Sequence, residues 1–302
     1  MTIQHPNWLK KHPMIVFLVL SNSITWLCWI PTLLIANQRG YLLPTIANFA
    51  KLAQSGFSDP QHIVISVIFS MAVYGPLIAA LVATLLETGK DGLVELLSRI
   101  IKWRVSVRWY ATVGLIVLAL SVIPVGMGAL VGMVKLNRVA LASSVSYFLP
   151  MLLVQLLTSG LGEEPGWRGY LLPKLQTRFT VEQAIWRVGL IWAVWHYPFT
   201  IYYTLSGMID MPVAGMVFTI IMSLAGQTVS LIGMTYIYAW LYHNTKSVFV
   251  AILFHALGNV MTTVFSTDIQ PLVSLMIAVM PWVIVFVLEK VYGKTRFPGQ
   301  PT

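Results

Sequence analysis

The sequence predicts an all-α, polytopic membrane protein with about eight transmembrane helices. The chain has 302 residues, of which 57% are apolar and 10% are charged, and its mean hydropathy is +0.78. A composition this apolar is typical of proteins that span membranes and excludes an ordinary soluble domain. Two further observations support the same class: the apolar residues fall in long runs, and most basic residues fall in alternate connections between those runs.

Each predicted helix corresponds to one apolar run, because a helix needs about 20 apolar residues to cross the hydrocarbon core. The first run is too long for the apolar region of a signal peptide, so we expect it to be retained as a span. Little chain remains outside the runs. We therefore expect residues 1–302 to form one integral membrane domain, with a motif-bearing core at 146–265 and less specific N-terminal helices at 1–145. The predicted spans are 14–36, 63–86, 109–134, 146–162, 184–203, 212–242, 247–265 and 270–288.

The chain has a net charge of +9, and its basic residues are divided unequally between the two predicted sides of the membrane. With the N-terminus in the cytoplasm, all but four of the 19 Lys and Arg residues fall on the cytoplasmic side, the exceptions being Arg39, Lys51, Lys135 and Arg138. The positive-inside rule therefore predicts a multi-pass protein of the cell membrane with both termini cytoplasmic. We interpret the basic excess as topological, with membrane lipids rather than nucleic acid as its partner.

One group of polar residues follows the fourth apolar run. A charged group at bilayer depth costs about 3 kcal/mol unless it is paired or faces water, so polar residues in such a chain indicate a functional site. Glu163 and Glu164 are adjacent, and Arg168 follows Glu164 by four residues, in the order that favours a helical ion pair. Pro165 disfavours helical geometry at the residue before it, so we expect a kink here.

The other polar residues lie in the fifth and seventh runs. His196 follows Trp192 by one helical turn, and His255 precedes Asn259 by the same spacing, so each pair shares one helix face. Counting from the predicted start of each run places both histidines, with Glu163, in the cytoplasmic half of the bilayer. We therefore expect a single active site at that depth.

These residue types support hydrolysis. A carboxylate in a cavity of low dielectric can take a proton from water, while imidazole and amide groups can stabilise an oxyanion. Alternatively, two histidines and one glutamate, here Glu163, His196 and His255, match the ligand set of a catalytic zinc. The sequence leaves both arrangements open. The single cysteine, Cys28, excludes a disulfide framework and a Cys-based metal site.

The three motifs together resemble a known family. Glu163-Glu164-x-x-x-Arg168, then Trp192-x-x-x-His196, then His255-x-x-x-Asn259 are similar to the motifs of the CAAX prenyl endopeptidase type II and Abi (CPBP) family of intramembrane proteases. The match spans about a third of the chain, and three motifs on separate helices make it specific. The aromatic residue before His196 is Trp192, where Phe is commoner in the family.

The resemblance implies roles for these residues. Glu163 would activate water and His196 would share that water, while His255 and Asn259 would stabilise the oxyanion. Glu164, Arg168 and Trp192 would support the site. The family was first named as metalloproteases, but a metal-free glutamate mechanism is also argued for it, so the resemblance leaves the cofactor unknown, with zinc as one candidate. The implied partners are peptide or protein substrates: a lipidated C-terminus, or a peptide pheromone or bacteriocin.

Other classes fit the sequence less well. It has no His-Glu-x-x-His motif and no Asp in any predicted span, which excludes the zinc site-2 and aspartyl types of intramembrane protease. A non-catalytic bacteriocin self-immunity protein remains the first alternative. A proton-coupled transporter is the second, because intramembrane Glu, Arg and His also form proton relays, although no paired interrupted segments appear in the two halves.

Overall fold

The computed structural model describes residues 8–134, 145–206, 211–265 and 271–293. Every secondary-structure element longer than one residue within these ranges is a helix or a turn. The predicted all-α class is therefore confirmed, whereas the number of membrane crossings stays a prediction. The helices are α1 (Trp8–Lys11), α2 (Pro13–Arg39), α3 (Phe49–Ser55), α4 (Pro60–Met71), α5 (Gly75–Ile100), α6 (Val107–Leu130), α7 (Phe148–Gln155), α8 (Leu161–Glu164), α9 (Leu172–Gln176), α10 (Val181–Ser206), α11 (Val213–Thr245), α12 (Val248–Phe265) and α13 (Pro271–Tyr292).

Five helices of the described ranges are long and apolar enough to cross a membrane, and a shorter apolar helix covers Val248–Val264. The three predicted spans outside this set of five, 146–162, 184–203 and 247–265, are those that carry the motifs. The segment 146–162 is divided by a π turn, and Val248–Val264 is apolar but shorter than the other five. The five are Pro13–Arg39, Pro60–Ile100, Val107–Leu130, Val213–Thr245 and Leu272–Tyr292.

The motif-bearing segment 148–176 is helical throughout, but it contains two π-helical turns, Leu156–Gly160 and Pro165–Leu171. Each π turn accommodates an extra residue and shifts the side chains that follow it, and such turns are frequent at functional sites. The second turn begins at Pro165, directly after the two glutamates. The irregularity predicted at this proline is thus present as a wide turn.

The segment 148–176 packs closely against α5 and the short turn that precedes it. A Cβ atom on Gly162 would lie 2.5 Å from the carbonyl oxygen of Val73, and one on Gly166 would lie 2.7 Å from that of Pro76. Small residues let transmembrane helices approach in this way. The two glycines therefore fix how deeply Glu163 and Glu164 sit between the helices.

One end of the helix bundle, which we call the basic end, contains the short connections 101–106, 177–180 and 246–247. Lys102 donates to the carbonyl of Thr245 at 3.0 Å, and Lys174 pairs with Glu87. The opposite end contains residues 40–59. Four basic residues that the charge rule also assigned to sides lie outside the described ranges, namely Lys135, Arg138, Lys294 and Arg296.

The connection 40–59 at the opposite end is ordered by polar contacts. The carboxylate of Asp59 accepts the backbone N–H of His62 at 2.8 Å and the hydroxyl of Tyr41 at 2.7 Å. These hydrogen bonds hold the pKa of Asp59 below its ordinary value, so the residue stays ionised and caps the start of α4. The connection therefore has a defined position over the helices below it.

Candidate active site

Glu164 and Arg168 form an ion pair with no exposed side-chain surface, joined at 3.0 Å between Oε1 and Nη1. The guanidinium lies between two aromatic rings, 4.2 Å from the centroid of Trp192 and 3.8 Å from that of Tyr238. A cation between two ring faces is stabilised by their quadrupoles, most strongly when water is excluded. Arg168 is therefore held rigidly and positions Glu164.

Glu164 in turn orients His255. The Nδ1 atom of His255 lies 2.7 Å from the same oxygen of Glu164 that accepts from Arg168, so Nδ1–H donates to this carboxylate. The other ring nitrogen, Nε2, then lies 3.9 Å from Oε1 of Glu163. The adjacent glutamates thus contact opposite nitrogens of one imidazole.

Glu163 is 3% exposed and is held from its other side by Trp192. The indole Nε1–H of Trp192 donates to Oε2 of Glu163 at 2.8 Å. The Trp192 that replaces the commoner Phe thus supplies a hydrogen bond that a phenyl ring cannot make. Trp192 therefore has a structural role at this position.

His196 and Asn259 complete the cluster from two further directions. Nδ1 of His196 donates to the backbone carbonyl of Trp192 at 2.9 Å, which leaves Nε2 of a neutral ring with a lone pair. Nδ2 of Asn259 donates to Oε1 of Gln155 at 2.7 Å. Since that nitrogen carries two hydrogens, one remains for another acceptor.

Four of these residues line a cavity of about 570 Å³, namely Glu163, His196, His255 and Asn259. The remaining lining is mainly apolar and aromatic and includes no Lys, Arg or Asp. Such a cavity accommodates an uncharged segment and presents it to a few polar groups. The other lining residues are Trp29, Pro44, Thr45, Ile46, Phe49, Leu52, Ala53, Phe57, Phe69, Ser70, Val73, Val154, Gln155, Thr158, Ser159 and Phe199.

The zinc candidates Glu163, His196 and His255 were tested against this geometry. Among the described residues, no group of three or more His, Cys, Asp or Glu side chains is arranged to hold a metal ion. Glu163 and His255 face each other, and Nδ1 of His196 donates to a backbone carbonyl, which leaves Nε2 of that ring free. A zinc role for these three residues stays a prediction.

The structure brings together all seven residues selected from the sequence, and it adds two that the sequence reasoning missed. Gln155 is buried and holds Asn259, and Tyr238 covers Arg168. Gln155 had a visible signal, because it is a strongly polar residue inside an apolar run eight positions before Glu163. No sequence signal distinguished Tyr238, because aromatic residues are frequent throughout the chain.

Part of the cavity wall comes from the end opposite the basic end, where residues 44–57 lie. The sequence predicts the site in the cytoplasmic half of the bilayer and residues 44–57 outside. The depth of the site in the membrane stays a prediction.

The fold and the site define a helical membrane protein with a buried cluster of acid, imidazole and amide groups beside a cavity. Residues 145–261, which contain all three motifs, match the family described as type II CAAX prenyl endopeptidase, Rce1-like. The match supports the family recognised from the motifs over that segment of the chain.

A curated relative gives the same result over a similar length. "CAAX prenyl protease 2" of Methanococcus maripaludis is 33% identical to this chain over 113 residues. The matched residues make up 37% of this chain and 39% of the relative, so the chain spans about two fifths of the length of the relative that it matches.

Proposed function

We propose that this protein is an intramembrane endopeptidase in which Glu163 activates water for attack on a peptide bond. The observation that carries the proposal is the 3.9 Å separation of Glu163 Oε1 and His255 Nε2 at the wall of the cavity. This distance is too long for a direct hydrogen bond, and it suits two groups that share one water molecule.

The chemical steps follow from the placement of these groups. Glu163 takes a proton from water, and the resulting hydroxide attacks the carbonyl carbon of the scissile bond. The carbonyl oxygen becomes an oxyanion. When the carbon–nitrogen bond breaks, Glu163 returns the proton to the leaving amine, so a carboxylic acid and an amine are the products. The neutral ring of His196 presents Nε2 as an acceptor that can orient the attacking water.

Two groups are available to stabilise the oxyanion. Asn259 retains one amide hydrogen after its bond to Gln155. His255 donates from Nδ1 to Glu164, and its other ring nitrogen, Nε2, faces Glu163 at the cavity wall, where it donates when it carries a proton. Donors held in place before the reaction contribute more to the rate than mobile ones. Glu164 and Arg168 act by fixing His255.

The proposed substrate is a peptide or protein segment with apolar side chains near its scissile bond. The aromatic lining of the cavity favours such a segment. Because the relative is named a CAAX prenyl protease, we include peptides with a lipidated cysteine near the C-terminus among the substrates. Processing of a peptide pheromone or a bacteriocin is the other proposed role, and the membrane lipids are the surrounding partner.

The test measures cleavage by the purified protein in liposomes. The substrates are quenched fluorescent peptides of apolar sequence, with and without a prenylated C-terminal cysteine. Glu163→Gln keeps an acceptor for Trp192 but removes the base, so we expect turnover to fall by about 10²–10⁴-fold. Glu95→Gln, which changes an exposed glutamate, should cleave at the wild-type rate.

Folding is checked by the elution volume and the thermal unfolding of each variant. The proposal is wrong if correctly folded Glu163→Gln retains wild-type turnover, or if the wild-type protein cleaves none of the peptides. Binding without cleavage would support the non-catalytic immunity role, and proton flux into the liposomes would support a transporter.

A further inference from the structure

Three cationic side chains from two separate connections gather around Tyr242 at the basic end. Nη1 of Arg99 donates to the hydroxyl of the buried Tyr242 at 2.9 Å, and Nζ of Lys246 lies 5.9 Å from the centroid of the same ring. Nζ of Lys102 donates to the carbonyl of Thr245, the residue before Lys246, at 3.0 Å. We call Arg99, Lys102 and Lys246 the cation cluster.

Acidic groups compensate the cation cluster only weakly. In the part of the chain that the structure describes, its ion-pair partner is Glu95, whose exposed carboxylate lies 4.0 Å from Nε of Arg99. That Nε atom is buried and has no hydrogen-bond partner. Partial burial and the nearby charge of Lys102 lower the pKa of the Lys246 amine. Like charges gathered in this way raise the local concentration of anions.

The two connections that carry the cluster are joined by further hydrogen bonds. Oγ of Ser247 donates to the carbonyl of Lys102 at 2.6 Å and accepts from the backbone N–H of Val250 at 3.2 Å. Lys246 has a left-handed backbone, with φ 51° and ψ 33°, at a helix end where glycine or asparagine is usual. Residues held in a disfavoured conformation of this kind cluster at ligand-binding sites. A lysine at this position therefore indicates a role for its charge.

Exposed apolar residues lie directly beside the cation cluster. Ile101 and Trp103 flank Lys102 in the chain and are 70% and 57% exposed, and Val107 is 80% exposed. The guanidinium of Arg104 lies 5.1 Å from the centroid of the Trp103 ring. Tryptophan and basic side chains at the end of an apolar helix are typical of the boundary between hydrocarbon and headgroups. A molecule with an anionic head and an apolar tail matches both parts of this surface.

We propose that the cation cluster binds the phosphate of an anionic phospholipid, whose acyl chains lie against Ile101, Trp103 and Val107. The amines of Lys102 and Lys246 are exposed, and each keeps hydrogens to donate to phosphate oxygens, since Thr245 takes only one from Lys102. A zwitterionic headgroup fits less well, because the cluster would repel its ammonium group. The lipid site does not depend on the proposed cleavage of peptides, so either can fail without the other.

The experiment measures lipid binding by the purified protein in detergent, with native mass spectrometry. The probes are dioctanoyl phosphatidylglycerol, which is anionic, and dioctanoyl phosphatidylcholine, which is zwitterionic and has the same chains. We expect the anionic lipid to bind tighter, on the order of tenfold. Glycerol phosphate and inorganic phosphate are added as competitors. Neither should displace the anionic lipid at equal concentration, because neither has acyl chains.

Two variants locate the site. Lys246→Asn removes one charge and introduces a residue that accepts a left-handed backbone, so it should fold normally. We expect it to weaken binding of the anionic lipid about fivefold, and the double variant Lys102→Gln/Lys246→Asn about 25-fold. Elution volume and thermal unfolding check the folding of each variant.

The matched control is Lys90→Asn, which removes the same charge from an exposed position of α5. Lys90 precedes Arg99 by about 13 Å along the helix, farther than the Debye length of about 8 Å at physiological salt. Its affinity for the anionic lipid should change by less than about twofold.

Three outcomes would overturn the proposal. Equal affinity of the wild-type protein for the two lipids would show that the cluster does not select an anionic headgroup, and this measurement needs no variant. Equal losses in Lys246→Asn and Lys90→Asn would show that only the overall charge matters. Displacement of the anionic lipid by glycerol phosphate or inorganic phosphate at equal concentration would show a site for free phosphate instead.

Discussion

The chain contains two Glu-x-x-x-Arg segments, Glu95–Arg99 on α5 and Glu164–Arg168 at the site, and they differ in burial and in the distance between the charged groups. The first pair is 4.0 Å apart, with Glu95 72% exposed and Arg99 22% exposed. The second pair is 3.0 Å apart and has no exposed side-chain surface. Identical spacing thus gives a loose surface contact in one helix and a rigid buried pair in the other.

The difference lies in the neighbours of each pair and not in the pair itself. Arg168 is enclosed by the rings of Trp192 and Tyr238, and Glu164 is shared with His255. Arg99 instead donates to the hydroxyl of Tyr242 near the basic end. The buried pair has ring and imidazole partners from three other helices, although Oε2 of Glu164 and Nε of Arg168 have no hydrogen-bond partner. Spacing alone therefore does not identify a functional pair.

The largest expected effect comes from breaking the two pairs in parallel. Glu164→Ala leaves the guanidinium of Arg168 buried without its carboxylate, so we expect a loss of about 3–5 kcal/mol in the free energy of unfolding. Glu95→Ala should cost less than about 1 kcal/mol, as is usual for exposed pairs. Unfolding in detergent, followed by circular dichroism, measures both. Equal losses in the free energy of unfolding would contradict the conclusion that the buried pair contributes more to stability than the exposed pair.

A smaller effect is expected from removing one donor beside the pair. Trp192→Phe keeps an aromatic ring but loses the indole N–H that holds Glu163. A hydrogen bond to a charged group contributes about 1.5–3 kcal/mol, so kcat should fall on the order of 10–100-fold with little change in KM. Trp186→Phe, at a 42% exposed position on the same helix, is the matched control. A wild-type kcat for Trp192→Phe would remove this hydrogen bond from the mechanism.

The smallest effect separates two similar glutamines. Gln155 accepts from Asn259 at 2.7 Å, and Gln227 accepts from Thr200 at 2.7 Å. Replacing either with Leu should lower stability by about 0.6–1.7 kcal/mol, the range of interhelical hydrogen bonds in membranes. Gln155→Leu should also lower kcat, because Asn259 is then free to rotate, whereas Gln227→Leu should leave kcat unchanged. Identical kcat values for the two variants would contradict a positioning role for Gln155.

The sequence predicted the all-α class and selected polar residues that the structure places together, because helical spacing and bilayer energetics apply to each run separately. It could not predict which carboxylate contacts which nitrogen of His255. That depends on the π turn at Pro165–Leu171, and hydrophobic periodicity does not reveal a single added residue. The contact between Tyr238 and Arg168 could not be predicted from a local pattern, because the two residues are 70 positions apart.

The part that residues 40–59 take in the cavity wall was not predicted from the sequence. In the structure, Thr45, Phe49 and Phe57 of this connection bound the same space as Glu163. Contacts between a connection and distant helices depend on tertiary packing, which no local pattern encodes.

The close approach of Gly162 and Gly166 to the backbone of Val73 and Pro76 determines how substitutions at the two glycines will act. An added methyl at Gly162 or Gly166 would meet a main-chain carbonyl, which cannot rotate away as a side chain does. Overpacking of this kind costs about 1–3 kcal/mol or more. Alanine variants here should be degraded during biogenesis, so they will be recognised by their low abundance in the cell, whereas Glu163 variants will accumulate normally.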